Sequence, residues 1–341
     1  MATIKDIAER TGYSIATVSR ALNNQRNVDE KIKKKILQTA SELNYKPNLL
    51  GQILRNNTSN LVLCTTPSMA SGLLYESFIS MQETLNNAGY QLLLYPGVPD
   101  NSTIQSQSIL TLLEGQLISG IIFTIPFLES SKLNQLNQKY PLVQFSEYED
   151  NAKTAIVSVD YFEAVREGID YLIHIGHSRI AFITLNHTPT SPISISMLRK
   201  ELGYKYALDS ASIPYDPNLI IRLDSSDMIH IQTAINQLFS SETKPTALFC
   251  ISDVIASRCL KALEHSGLKV PNDCSVMGFD NTTFTDMVSP SLTTIGSPLS
   301  LMGKRAAELL LHQIETGEKT NEKILLSHKL IIRESTSQLF S

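Results

Sequence analysis

Arg20 carries a planar guanidinium whose fork of donors matches guanine O6 and N7, and the apolar side chains of Ile15 and Ala16 suit contact with a thymine methyl. Thr17 and Ser19 add hydroxyls of the kind that bind phosphate oxygens, as do backbone N–H groups at a helix start. These types within one short stretch point to a nucleic-acid duplex. Ile15, Ala16 and Arg20 are the candidates for base edges; Thr3, Ser14, Thr17, Ser19, Asn23 and Tyr45 are candidates for phosphate or minor-groove contact.

Such readout requires a short helix with one face free and the other fixed. Thr3-Ile-Lys-Asp6 has the spacing of a capping box, in which the Thr3 hydroxyl accepts from the Asp6 N–H and the carboxylate sits on the positive end of the helix dipole. Ile4, Ile7 and Ala8 give that helix an apolar face, and Gly12 ends it. Ser14 caps a second helix from Ile15 to about Asn23, with Val18, Ala21 and Leu22 inward. Asp29 caps a third, striped by Ile32, Ile36, Leu37, Ala40 and Leu43. Two short helices joined by a Gly-containing turn form a helix-turn-helix, and the third completes a small core.

Charge agrees with this placement. Residues 1–60 hold ten Lys or Arg against five Asp or Glu, a net +5, whereas the rest of the 341-residue chain carries 19 against 28, a net −9. A basic module on an acidic body suits phosphate binding by one end only.

The run TIKDIAERTGYSIATVSRAL at 3–22, with ELNYKPN at 42–48, resembles the DNA-binding head of the LacI/GalR family of bacterial transcriptional regulators. The resemblance implies a homodimer whose two heads read the halves of a near-palindromic operator in double-stranded DNA, with a repressor as the expectation. It divides the chain into a helix-turn-helix domain at 1–47, a hinge-helix linker at 48–60 and an effector-binding and dimerisation body at 61–341. In the family the linker folds only on operator and wedges a leucine into the minor groove, and Leu54 occupies the matching position. Such a wedge kinks DNA at an unstacking cost of about a few kcal/mol. Gly51 stands where the family usually has Ala, which weakens the linker helix by about 1 kcal/mol.

From residue 61 short apolar runs alternate with amphipathic stretches. Strands are expected at 61–65, 91–95, 120–124, 142–145, 179–184, 219–223, 247–251 and 275–279, and helices at 76–88, 161–175 and 254–265. Continuous apolar strands separated by helices predict α/β architecture, here two doubly wound parallel-sheet lobes with a cleft at the strands' carboxyl ends. GHSRIAFI at 176–183, KPTALFCISD at 244–253, VPNDCSVMGFDN at 270–281 and LTTIGSP at 292–298 resemble the same family's body, which is similar to periplasmic sugar-binding proteins. The resemblance implies lobe one at about 61–160 plus 290–321, and lobe two at about 161–289 plus 322–341.

It also implies a small effector in the cleft, a sugar or phosphosugar and sometimes a purine, or else a protein co-regulator. Asp280 matches the family's cleft aspartate, whose carboxylate can accept bonds from vicinal hydroxyls. The effector-binding arginine falls at Arg199 or Lys200; strict spacing selects Lys200, a point charge without the planar fork. Asp253 reads equally as a ligand or a helix cap. Ser71 and Leu74 stand where relatives often show Asn and an aromatic, and Ser225 also replaces an aromatic, so Phe123, Phe145 or Tyr75 are the candidates to supply the ring.

Several function classes are excluded by pattern. There is no G-x-S-x-G or G-x-G-x-x-G, and Gly303-Lys304-Arg305 lacks the upstream Gly and following Ser/Thr of a P-loop, so neither an enzyme nor a cofactor is expected. The four cysteines are scattered and read as reduced, buried thiols. His174 and His177 are spaced like metal ligands, but His177 matches a family turn histidine and a structural role is expected. The charged N-terminus is unlike a signal peptide and no apolar run of membrane length occurs, so a cytoplasmic, nucleoid-associated location without membrane contact is expected. The alternative is a soluble sugar-binding or sugar-processing protein whose head docks to something other than DNA.

Overall fold

Thr3 opens the first helix as its sequence requires: its hydroxyl accepts from the Asp6 N–H at 3.4 Å, and its own N–H donates to the Asp6 carboxylate at 2.7 Å. The computed structural model describes residues 2–22, 28–45, 59–66, 74–96, 102–115, 117–124, 129–186 and 194–339. It divides into two compact units, Met1–Thr58 and Ser59–Ser341.

In the first unit α1 (Ile4–Thr11) ends at Gly12, whose φ of 78° is the left-handed conformation that glycine adopts without a Cβ penalty. Ser14 accepts from the Thr17 N–H at 3.1 Å and starts α2 (Ile15–Leu22). Asp29 caps α3 (Glu30–Glu42) by accepting from the Lys31 and Ile32 N–H groups. Ile7, Val18, Ala21, Ile36 and Ala40 form the buried core. Leu37, expected on the α3 stripe, is instead 45% exposed, because it lies about 100° around the helix from the buried Ile36.

Among the described residues the second unit holds two six-stranded sheets. In lobe one, β1 (Leu61–Thr66), β2 (Gln91–Pro96), β3 (Gly120–Phe123), β4 (Leu142–Phe145), β5 (Ala155–Val159) and β11 (Lys323–Leu326) are arranged β11-β5-β4-β3-β1-β2, all parallel. In lobe two, β6 (Ile180–Leu185), β7 (Ile220–Leu223), β8 (Ala247–Cys250), β9 (Ser275–Asp280), β10 (Thr293–Gly296) and β12 (Lys329–Ile331) are arranged β12-β10-β9-β8-β6-β7. Only β12 runs antiparallel there, opposite β10. The helices are α4 (Tyr75–Asn87), α5 (Ser102–Glu114), α6 (Ser130–Lys139), α7 (Tyr161–His174), α8 (Ile195–Ser210), α9 (Met228–Ser240), α10 (Asp253–His265) and α11 (Leu299–Thr316). One buried apolar cluster runs from Val62 and Met81 through Tyr161 and Phe279 to Phe182 and Leu248, joining the lobes.

The strand pairing moves two expected crossings. β10 lies beside β9, with Thr293 opposite Met277, so residues 293–296 belong to lobe two rather than lobe one. β11 lies beside β5, with Lys323 opposite Ile156, so residues 323–326 belong to lobe one rather than lobe two. The chain therefore crosses near 160, 297 and 327. After the second crossing α11 packs against α4 so closely that a Cβ on Gly303 would strike the Ser77 carbonyl, while the Ser77 hydroxyl donates to Leu299 O at 2.9 Å. Among the described residues no helix is long and apolar enough to cross a membrane.

Candidate nucleic-acid interface and inter-lobe cleft

α2 is divided lengthwise. Val18 and Ala21 are fully enclosed in the head core, whereas Ile15 is 49% exposed and Ala16 and Arg20 are also exposed. The Arg20 Nε donates to the Ala16 carbonyl at 3.3 Å, which lays the guanidinium along the exposed face beside Ala16. The three expected base-reading residues thus share one open surface. Ser14 and Thr17 hydroxyls lie 2.9 Å apart at the helix start, where N–H groups and the dipole favour an anion. Thr3 is exposed but its hydroxyl and amide serve the capping box. Ser19 and Tyr45 are half-buried and engaged within the chain, Tyr45 against the head core. Asn23 and Leu54, with the rest of the expected linker at 48–58, lie outside the described residues.

In the body, α8 brings Lys200 between the lobes, 6% exposed. Its Nζ donates to Ile251 O at 2.9 Å and lies 3.6 Å from the Phe279 ring centroid and 5.2 Å from that of Tyr161. Burial pulls the ammonium below its ordinary pKa, while Asp280, Glu147 and Asp253 oppose that pull. Asp280 ends β9 at φ 109°, a conformation a residue with a side chain rarely adopts. Burial, with Asp253 and Glu147 adding to it, pushes its carboxyl up to about 8 against the attraction of Lys200. Both residues lie at the carboxyl ends of parallel strands or face them, where this class of fold binds ligands.

The other expected ligands are placed differently. Arg199 turns to the rim, 3.5 Å from Asp150 of lobe one, so Lys200 is the residue that faces the cleft interior. Asp253 is neither a free ligand nor the cap of α10, for Ser252 caps that helix. The Asp253 carboxylate accepts from the Thr294 hydroxyl at 2.6 Å and from the Thr282 N–H and hydroxyl at 2.7 and 3.0 Å, tying α10 to β10 and the turn after β9. Burial raises its pKa to about 6, with those hydrogen bonds opposing. Phe123 is 2% exposed and packs with Leu63 and Ile109 in a core on the outer side of lobe one, because successive strand residues face opposite ways. Phe145 is likewise core, whereas Tyr75 is 61% exposed. Ser71 lies outside the described residues.

Three contributors escaped the sequence reading. Glu147 reaches from the loop after β4 to the start of α8, accepting from the Ser194 hydroxyl at 2.8 Å, the Ser196 N–H at 3.3 Å and the Ser196 hydroxyl. Phe279 and Tyr161 are core rings that pack against the Lys200 ammonium and offer no open face of their own; the Tyr161 hydroxyl meets that of Ser146 at 2.9 Å. The usable signal was the SEYED run at 146–150, acidic and directly after a parallel strand.

Residues 3–48 match the family model described as bacterial regulatory proteins, lacI family, and residues 169–336 match a periplasmic binding protein-like domain. The HTH-type transcriptional repressor CytR of Escherichia coli (strain K12) is 31% identical over 342 residues, covering 99% of this chain and 97% of the relative. The chain belongs to the lacI family of bacterial regulators. It is a DNA-binding transcriptional regulator, not an enzyme. The lacI-family head ends within the first unit, and the periplasmic-like match spans most of lobe two. Two solved structures share the fold at 24% identity. The lac repressor dimer bound to operator and an anti-inducer has a TM-score of 0.85, covering 98% of this chain and 99% of that one. The transcriptional regulator CelR in complex with cellobiose has a TM-score of 0.71, covering 98% of this chain and all of that one.

His177, the family-type turn histidine, is 2% exposed. Its Nδ1 lies 2.9 Å from the Thr246 hydroxyl, and its Nε2 lies 3.1 Å from the Ser275 hydroxyl and 3.2 Å from the Ser337 carbonyl, pinning the C-terminal segment.

Proposed function

We propose that this regulator is a homodimeric repressor that reads a near-palindromic operator through the exposed face of α2 and answers to a sugar-class effector between its lobes. The observation that carries this reading is the lengthwise division of α2, with Ile15, Ala16 and Arg20 free and Val18 and Ala21 locked in the core. Its support from relatives is that CytR is a repressor, that the lac repressor structure is a dimer on operator, and that CelR holds cellobiose.

In this reading Ile15 and Ala16 touch thymine methyls, Arg20 forks onto guanine, and the Ser14–Thr17 end of α2 meets phosphate. Thr3, Ser19, Asn23 and Tyr45 assist on the backbone, and Leu54 wedges the minor groove between paired linkers. Lys200 and Asp280 form the floor of the effector cleft, with Arg199 at its rim, and Ser71 is a further effector ligand. Effector binding changes the closure of the lobes and through it the pairing of the linkers, a coupling between two sites through one bistable element. The protein acts in the cytoplasm, on the nucleoid.

Selection from random duplexes tests the reading. The full chain should recover a two-fold-related sequence, with affinity falling steeply as salt rises. Arg20→Ala should lose about 1–3 kcal/mol on that sequence, about five- to 150-fold, with far less change on random DNA. Recovery of no preferred sequence, or equal loss on both DNAs, overturns it.

A further inference from the structure

We infer that the inter-lobe cleft selects an effector without an anionic group, a neutral or amine-bearing polyol rather than a phosphorylated one, and that Glu147 enforces this choice. The inference rests on the reading of the cleft as the effector site and narrows the ligand that the site accepts.

Two features of such a cleft could seat a phosphate, a buried cation and a helix N-terminus. Both are already occupied by groups of the chain. The Lys200 ammonium is spent on Ile251 O and the Phe279 ring, with Asp280, Glu147 and Asp253 around it. The start of the 16-residue α8, where N–H groups and cap hydroxyls converge, holds the Glu147 carboxylate through Ser194 and Ser196. An acid from lobe one therefore sits where an anionic ligand of lobe two would sit.

Most of the surrounding cations are held by groups of the chain. Lys323 pairs with Asp150 at 2.6 Å, Arg222 pairs with Glu201, and Arg333 donates to Leu292 O and Asn281 Oδ1, while Arg199 at the rim lies 3.5 Å from Asp150 with its buried Nε unpartnered. Three carboxyl groups thus face one committed ammonium, and a phosphate would add charge of the wrong sign in a site of low dielectric. Hydroxyls and ammonium groups meet the opposite situation. Asp280 can accept from vicinal hydroxyls, and a ligand ammonium would stabilise its ionised form, which burial disfavours.

The test uses the full chain and a matched panel: hexoses, pentoses, a disaccharide and nucleosides, each with its amino and its phosphorylated counterpart. Binding is read by calorimetry and by the change in operator affinity. A neutral or amino member should bind wild type at least a hundredfold more tightly than its phosphorylated counterpart. Glu147→Gln, which keeps an acceptor oxygen but removes the charge, should shrink that ratio at least tenfold, and Glu147→Asp should restore it; melting curves confirm that both variants are folded. A phosphorylated member that binds wild type more tightly than its parent overturns the inference and leaves the effector reading standing. An unchanged ratio in folded Glu147→Gln overturns the role of Glu147. Silence of the whole panel, with operator binding intact, overturns the effector reading itself and this inference with it.

Discussion

Asp253 holds together pieces of lobe two that are far apart in sequence. Its two oxygens receive three hydrogen bonds, from Thr294 and twice from Thr282, and the carboxylate fills the space beside Gly278 where a Cβ cannot stand. Asp253→Ala strands a buried N–H and two hydroxyls, at about 1–3 kcal/mol for each group left unpaired. We expect the melting temperature of the body to fall by roughly 5–10 °C, with the head's helical signal unchanged. His177 carries a pH dependence of known sign. Burial lowers its pKa below the unfolded value of 6.5, so between the two values the unfolded chain binds more protons and stability rises with pH. The stability advantage of wild type over His177→Gln should therefore be full at pH 7.5 and shrink as pH falls below 6.5, measured by melting at several pH values. These residues also show where sequence reading stops. Asp280 and Lys200 were singled out because the family resemblance gives each a fixed place, after a strand for Asp280 and ahead of Gly203-Tyr204 for Lys200. Asp253 was read as cap or ligand because its real partners, Thr282 and Thr294, meet it only once β9 and β10 are side by side.

The helices of the head were legible almost to the residue, since cap, apolar stripe and terminating glycine are all local signals. All eight expected strands of the body are present within a residue or two. The strands not foreseen have two different causes. β11 and β12 are short edge strands with partly exposed side chains, which read as loops, whereas β5 (AIVSV) and β10 (TTIG) are buried throughout but mix Ser, Thr or Gly into runs too short to stand out as continuous apolar strands. The crossings near 297 and 327 depend on which edge each late strand joins, a matter of long-range pairing that no local pattern states. The α4–α11 pair offers a test at this scale. Gly303→Ala puts a methyl against the Ser77 carbonyl, and the helices must part. Overpacking of this kind costs about 1–3 kcal/mol; the expected result is a lower melting temperature for the body, whereas Gly317→Leu, at a left-handed cap with open space around it, should cost less because only the backbone is strained.

On the scale of the molecule, charge is divided between the two units: +5 over residues 1–60 and −9 over the rest. The acidic body should not bind DNA without the head. A chain of residues 59–341, the second compact unit, should keep its effector affinity within about twofold and lose operator binding entirely, as read by calorimetry and fluorescence anisotropy. Retention of operator binding by that fragment would place the DNA surface elsewhere.

The three crossings also set an order of events during synthesis. The head is complete once Tyr45 has left the ribosome, but neither lobe can be. Sheet one waits for β11 at Lys323–Leu326 and sheet two for β12 at Lys329–Ile331, each the last strand of its row. A ribosome stalled before Leu299 would release a chain whose DNA-reading helices are folded while α4 lacks its partner α11 and the edge of β5 lies bare. Such a product carries the recognition surface without the body that governs it, and its open strand edge makes it a substrate for proteases and for aggregation. Translation thus delivers a finished reader first and its control last, and only chains read to within a few residues of Ile331 can assemble both lobes.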